Sequence, residues 1–185
     1  MKPSFENAKK LVYQYIENES LRKHCLYVAS VMRYFARKKN IDETEWAIIG
    51  LIHDLDWEKF PEQHCYKTKE ILEEIGWPEN YIRAILSHGW SICTDIEPKS
   101  DLEKTLYAVD ELTGFIVACA LVRPSKSFQD LQLKSVKKKW KTATFASGVN
   151  RSIVTKGAKM LGVELDNLIE EVIIAMRKVE DKIGI

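Results

Sequence analysis

The chain has 185 residues, 45% of them hydrophobic and 30% charged, with a formal net charge of +1. That length suits one domain with a substantial core, and the near-neutral total argues against a chain built for electrostatic nucleic-acid binding. The longest uninterrupted apolar run, 115–122, is far too short to span a bilayer.

The opening residues, MKPSFEN, are charged and lack the apolar centre of a signal peptide, which leads us to expect a cytoplasmic protein. Cys25, Cys65, Cys93 and Cys119 show no C-x-x-C spacing, which argues against a zinc ribbon or a thioredoxin-like pair. We read them as reduced, mostly core-filling thiols. Cys25 and Cys65 each follow a histidine, so a thiolate ligand stays open.

In chain order, helical periodicity recurs almost everywhere and no segment alternates as a half-buried strand does. Over 4–18, Phe5, Ala8, Leu11, Val12, Tyr15 and Ile16 make one apolar face. Ser20 can cap a second helix reaching about 38. Its stripe of Leu21, His24, Val28, Val31, Met32 and Phe35 puts His24 on the buried side, as a ligand or as a core histidine bound to a carbonyl. Asp42 with Glu45 reads as a capping box opening a helix that runs to His53-Asp54. Next come a helix over 65–75 with Gly76 as C-cap, and another from Pro78 to His88-Gly89.

Residues 90–99 read as a long loop. Ser100 and Glu103 form a second capping box, before a helix ended by Pro124. Asp110, four residues after Leu106 and three before Thr113, falls on that helix's inward stripe, where a carboxylate needs a cation or a donor cluster. A basic amphipathic stretch with Lys134, Lys137, Lys138, Lys139 and Lys141 follows. A helix over 150–161 ends at Gly162, and Asp166 can cap a last one to about 182. The pattern predicts an all-α bundle of eight or nine helices.

All four histidines, His24, His53, His64 and His88, lie in the first half of the chain. With Asp54 and Asp110 they offer the imidazole and carboxylate donors that suit divalent metals such as Mn²⁺, Co²⁺, Ni²⁺, Zn²⁺ or Fe²⁺. The order His24 … His53-Asp54 … Asp110 resembles the motif of the HD-domain superfamily of metal-dependent phosphohydrolases, over about residues 20–125. HDLDWEKFPEQH, ILSHG, AVDELTGFIVACALVRPSK and TFASGVNRSI extend the resemblance to nearly the whole chain, toward a branch of HD hydrolases with no assigned substrate.

The resemblance implies one HD domain over 1–185, with a metal-site core at about 20–125 and the helices of 126–185 packed on it. It implies that His24, His53, Asp54 and Asp110 bind one ion, and that His64 and His88 complete a second site with Asp54 as bridge. One or two divalent ions are expected, Mg²⁺ included. Four neutral imidazoles and two carboxylates sum to −2, so two divalent ions leave about +2, a charge suited to a phosphate. The implied reaction is in-line attack of a metal-activated hydroxide on a small phosphate ester or nucleotide.

Asp56 and Glu58 stand next to the pair as candidate catalytic acids that orient water or protonate a leaving group, or else as solvated loop acids. Glu111 reads by default as exposed. Arg123, Lys126, Lys137 and Arg151 are candidate phosphate holders. Two rival readings stay open: a di-iron HD-type oxygenase, and a non-catalytic nucleotide-binding metal module.

Overall fold

The computed structural model describes residues 3–184. They form ten helices: α1 (Phe5–Tyr15), α2 (Glu19–Lys38), α3 (Glu43–Ile52), α4 (Tyr66–Glu74), α5 (Glu79–His88), α6 (Asp101–Leu121), α7 (Leu133–Trp140), α8 (Arg151–Met160), α9 (Leu165–Arg177) and α10 (Glu180–Ile183). A 3₁₀ turn, Pro61–Gln63, precedes α4. No strand occurs among the described residues, so the expected all-α class holds. No helix among them is long and apolar enough to cross a membrane.

Short polar side chains set where the helices begin. Ser4 accepts from the Asn7 amide and Asp42 from the Thr44 amide, each pairing a first-turn N–H that the helix leaves without a partner. Ser100 and Glu103 form the predicted capping box. Asn18, not Ser20, caps α2, because its carbonyl oxygen reaches the Leu21 amide. The last predicted helix is broken into α9 and α10. The Gln129 side chain donates to the Arg177 carbonyl, which therefore serves the 129 loop at the point where α9 stops. Asp166 lies inside the first turn of α9, and the N-cap residue is Glu164.

α2, α3 and α6 make the centre of the bundle, with α5 against α6, and α8 and α9 closing it from the C-terminal side. Two glycines allow close helix approach. A Cβ at Gly50 would stand 2.9 Å from Met32 Cγ and 3.0 Å from the Ala29 backbone. One at Gly157 would stand 2.6 Å from Ala108 Cα, so α8 lies directly on α6. Tyr27, Met32, Ile49, Leu51, Phe115 and Ile116 are fully buried between these helices. Each such side chain contributes roughly 1.5–3 kcal/mol relative to exposure. That apolar weight anchors the helices whose ends carry the polar cluster.

Candidate metal centre

Five segments deliver the polar residues to one place. His24 comes from the second turn of α2, His53 caps the C-terminus of α3, and Asp54 opens the turn beyond it. His64 follows the 3₁₀ turn, His88 ends α5, and Asp110 lies midway along α6. The other five all stand around Asp54, in two groups.

Asp54 stands between two groups of histidines. Its Oδ2 lies 3.3 Å from His53 Nε2 and 3.7 Å from His24 Nε2. Its Oδ1 lies 3.7 Å from His64 Nε2 and 3.8 Å from His88 Nε2. Asp110 Oδ1 completes the first group, 3.0 Å from His24 Nε2 and 3.1 Å from His53 Nε2. The donor atoms of His24, His53, Asp54 and Asp110 all fall within 4.8 Å of one another, and so do those of Asp54, His64 and His88.

Three of the rings are held by their other nitrogen. His53 Nδ1 is 2.9 Å from the Gly50 carbonyl, and His88 Nδ1 is 2.5 Å from the Ile85 carbonyl. A carbonyl only accepts, so both rings carry the proton on Nδ1 there and turn Nε2 toward Asp54. His64 Nδ1 meets the carboxylate of Asp56 at 2.8 Å. Such contacts fix ring orientation and raise the basicity of the free nitrogen, as around metal-binding histidines.

The electrostatics also fit a cation. Burial opposes charge on His53, yet Asp54 and Asp110 outweigh it and raise its pKa well above the ordinary histidine value. Burial likewise disfavours charge on the two carboxyls, while His53 facing them holds both well below the usual carboxylate range. His64 is raised too, with burial opposed chiefly by its bond to Asp56. Clustered carboxylates that hold protons on buried imidazoles offer a dication the place of those protons. The residues present therefore fit one or two divalent ions in their donor chemistry.

The centre opens into a cavity of about 240 Å³. Trp57 and Ile92 form its rim, 49% and 55% exposed, and Gly114, Gly148 and Val149 complete the wall. Trp57 packs edge-to-face on His64, with ring centroids 4.8 Å apart. Glu111 also lines the cavity, where its carboxylate accepts from the Asn150 amide at 3.1 Å. Burial, then the charge of Asp110, push its pKa up to about 7. The default expectation of a surface acid is thereby corrected.

Other expected site residues are placed differently. Asp56 is fully buried and accepts from His64 and from the Thr68 amide at 2.8 Å, so it orients the His64 ring instead of facing solvent. Glu58 accepts from the amides of Glu17 and Asn18, both at 2.9 Å, where α2 begins. Arg123 is paired with Asp130 at 2.6 Å, and Lys137 with Asp166. Lys126 is exposed, with a left-handed φ of 46°. Arg151 donates to the carbonyls of Trp140, Thr142 and Phe145 and lies over the rings of Phe115 and Trp140. None of these four cations lines the cavity. Their expected phosphate-holding role finds no support in their placement, because three of them already serve other partners.

Sequence reasoning missed Trp57, Ile92 and the glycine wall as cavity residues. The aromatic directly after the HDLD run was the one available signal. Compared with known families, residues 21–114 match the model of the HD domain. No curated protein and no solved structure matches the chain.

Proposed function

Because the chain belongs to the HD-domain family, we propose that it is a metal-dependent phosphohydrolase acting on a small phosphate ester or nucleotide. The observation that carries this reading is Asp54, whose two carboxylate oxygens each face a different pair of imidazole nitrogens at 3.3–3.8 Å.

In this reading His24, His53, Asp54 and Asp110 hold one divalent ion, and Asp54, His64 and His88 hold a second. Bound there, divalent ions supply Lewis-acid polarisation of a phosphoryl oxygen and lower the pKa of water to roughly 7 in favourable sites. The protein's own groups do the positioning. Gly50 and Ile85 carbonyls and the Asp56 carboxylate keep Nε2 of His53, His88 and His64 aimed inward. No lysine or arginine lines the cavity, and Asp54, Asp110 and Glu111 make its wall acidic. A phosphate thus finds no lysine or arginine to pair with there, so its binding is expected to depend on metal. The flat face of Trp57 and the side chain of Ile92 suit the organic part of such an ester.

A panel of phosphomonoesters and nucleotides, assayed with Mn²⁺, Co²⁺, Ni²⁺ and Mg²⁺, tests this. Phosphate release that requires added metal and vanishes in Asp54→Ala is expected. Ligand binding without release under any metal would replace the hydrolase by a binding module. Oxygen-dependent turnover with iron would replace it by an oxygenase.

A further inference from the structure

Beside the histidines facing Asp54 stands a pair of thiols that hydrolysis does not use. Cys65 follows His64 and is buried, while Cys93 is partly exposed in the turn after α5. Their sulfurs lie 3.6 Å apart, and Cys65 Sγ is 3.8 Å from His88 Nδ1. One donor atom each from His64, Cys65 and Cys93 all fall within 4.8 Å of one another.

The backbone is shaped around this contact. Cys65 has a φ of 68° and Ser91, in the turn that carries Cys93, a φ of 63°. Non-glycine residues held in that region cost of order 1–3 kcal/mol each and persist only where their surroundings impose them. Between the two segments sits Gly89. A Cβ there would stand 2.6 Å from Cys93 Sγ and 2.8 Å from Cys65 Sγ, so glycine is what lets both sulfurs in. The Gly89 carbonyl then accepts the amides of Ile92, Cys93 and Thr94 at 2.9–3.1 Å, winding the turn that presents Cys93. The Thr94 hydroxyl donates to the Leu86 carbonyl at 2.6 Å and pins that turn to α5.

The spacing suits chelation. Two thiolates on a tetrahedral ion with metal–sulfur bonds of about 2.3 Å stand roughly 3.8 Å apart. At 3.6 Å the two thiol sulfurs are in van der Waals contact and already close to that separation. Soft thiolates select Zn²⁺-like ions, whereas imidazole with carboxylate also serves harder ones such as Mn²⁺. His64 has one free ring nitrogen, Nε2, because Nδ1 is bound to Asp56, and Nε2 is the atom that faces Asp54.

We propose that Cys65, Cys93 and His64 form a separate site for a thiophilic divalent ion of the Zn²⁺ or Cd²⁺ type, sharing His64 with the Asp54-bridged centre. Filling it breaks two S–H bonds heterolytically and, where His64 is an imidazolium, its Nε2–H bond, releases those protons to solvent and forms two metal–sulfur bonds and one metal–nitrogen bond, with no electron transferred. The shared ligand means that such an ion and the second ion of the centre exclude one another. This last clause rests on the two-ion reading above.

The test is a Cd²⁺ titration of the reduced, chelator-treated full chain, followed by the ultraviolet thiolate-to-cadmium charge-transfer band. One equivalent is expected to saturate the band, and Cys65→Ser and Cys93→Ser each remove half of it or more. His64→Ala is expected to weaken Cd²⁺ binding about tenfold or more. In protein preloaded with Mn²⁺, Cd²⁺ is expected to release one Mn²⁺ equivalent, and none in Cys93→Ser. No band from protein whose thiols all react with a thiol reagent overturns the site, even where two Mn²⁺ load normally. A band unchanged in Cys93→Ser overturns it as well. A band that appears with no Mn²⁺ released, from protein holding two, overturns the shared ligand.

Discussion

The two halves of the molecule differ in where they place charge. The helices that carry residues 24–110 bear surface ion pairs such as Lys39–Asp101, but they also turn one titratable cluster inward, where Asp54 meets four imidazoles with no lysine or arginine in the cavity. In α7 to α9 the cations turn outward or bind backbone. Lys137 meets Asp166, and Arg151 spans three carbonyls. Inward charge that its neighbours balance only by protonating histidines asks for a ligand. Outward charge is satisfied by water and nearby acids, and asks for nothing.

Substitutions that separate stability from metal binding would break this contrast. The largest effect is expected from Asp54→Ala, which removes the acceptor common to both histidine groups. It should abolish binding of both ions while the circular dichroism spectrum stays helical, checked by metal analysis of the purified variant. Asp56→Ala comes next, because it leaves the Thr68 amide without its buried acceptor and frees His64. Loss of one ion and a destabilisation of about 1–3 kcal/mol in urea unfolding are expected.

In the C-terminal region the effects should be on stability alone, and smaller. Gly157→Val forces α8 away from Ala108 and is expected to cost about 1–3 kcal/mol. Arg151→Ala removes the link between α8 and the carbonyls of 140–145, and about 1–2 kcal/mol with unchanged metal content is expected. Lys137→Ala breaks only a half-exposed surface pair, so a change within about 1 kcal/mol and unaltered metal content are expected. Loss of an ion in any of these three variants would mean that the halves are not separate in function.

The same contrast explains what could be read from the sequence. His24 and Asp110 were legible because a polar residue interrupting an apolar stripe at helical spacing has a direction. His53-Asp54 and His88 were legible as the polar ends of apolar helices. Asp56 was not, since a turn has no period to say that its side chain points inward. Glu111 sits one residue beyond the stripe, where a helix face is half wall and half surface. The fates of Arg123 and Arg151 were set by Asp130 and by the carbonyls of 140–145, partners across irregular turns whose path no periodicity in the sequence reveals. The break between α9 and α10 was hidden for the same reason, because Gln129 lies far away in sequence.

The account rests on Asp54 standing between two ion sites. Anomalous scattering from a crystal grown without chelator, collected at the absorption edge of the bound metal, tests it most directly. Two peaks are expected on opposite sides of the Asp54 carboxylate, one bound by His24, His53 and Asp110, the other by His64 and His88. A density that shows no ion within bonding distance of Asp54 would contradict it.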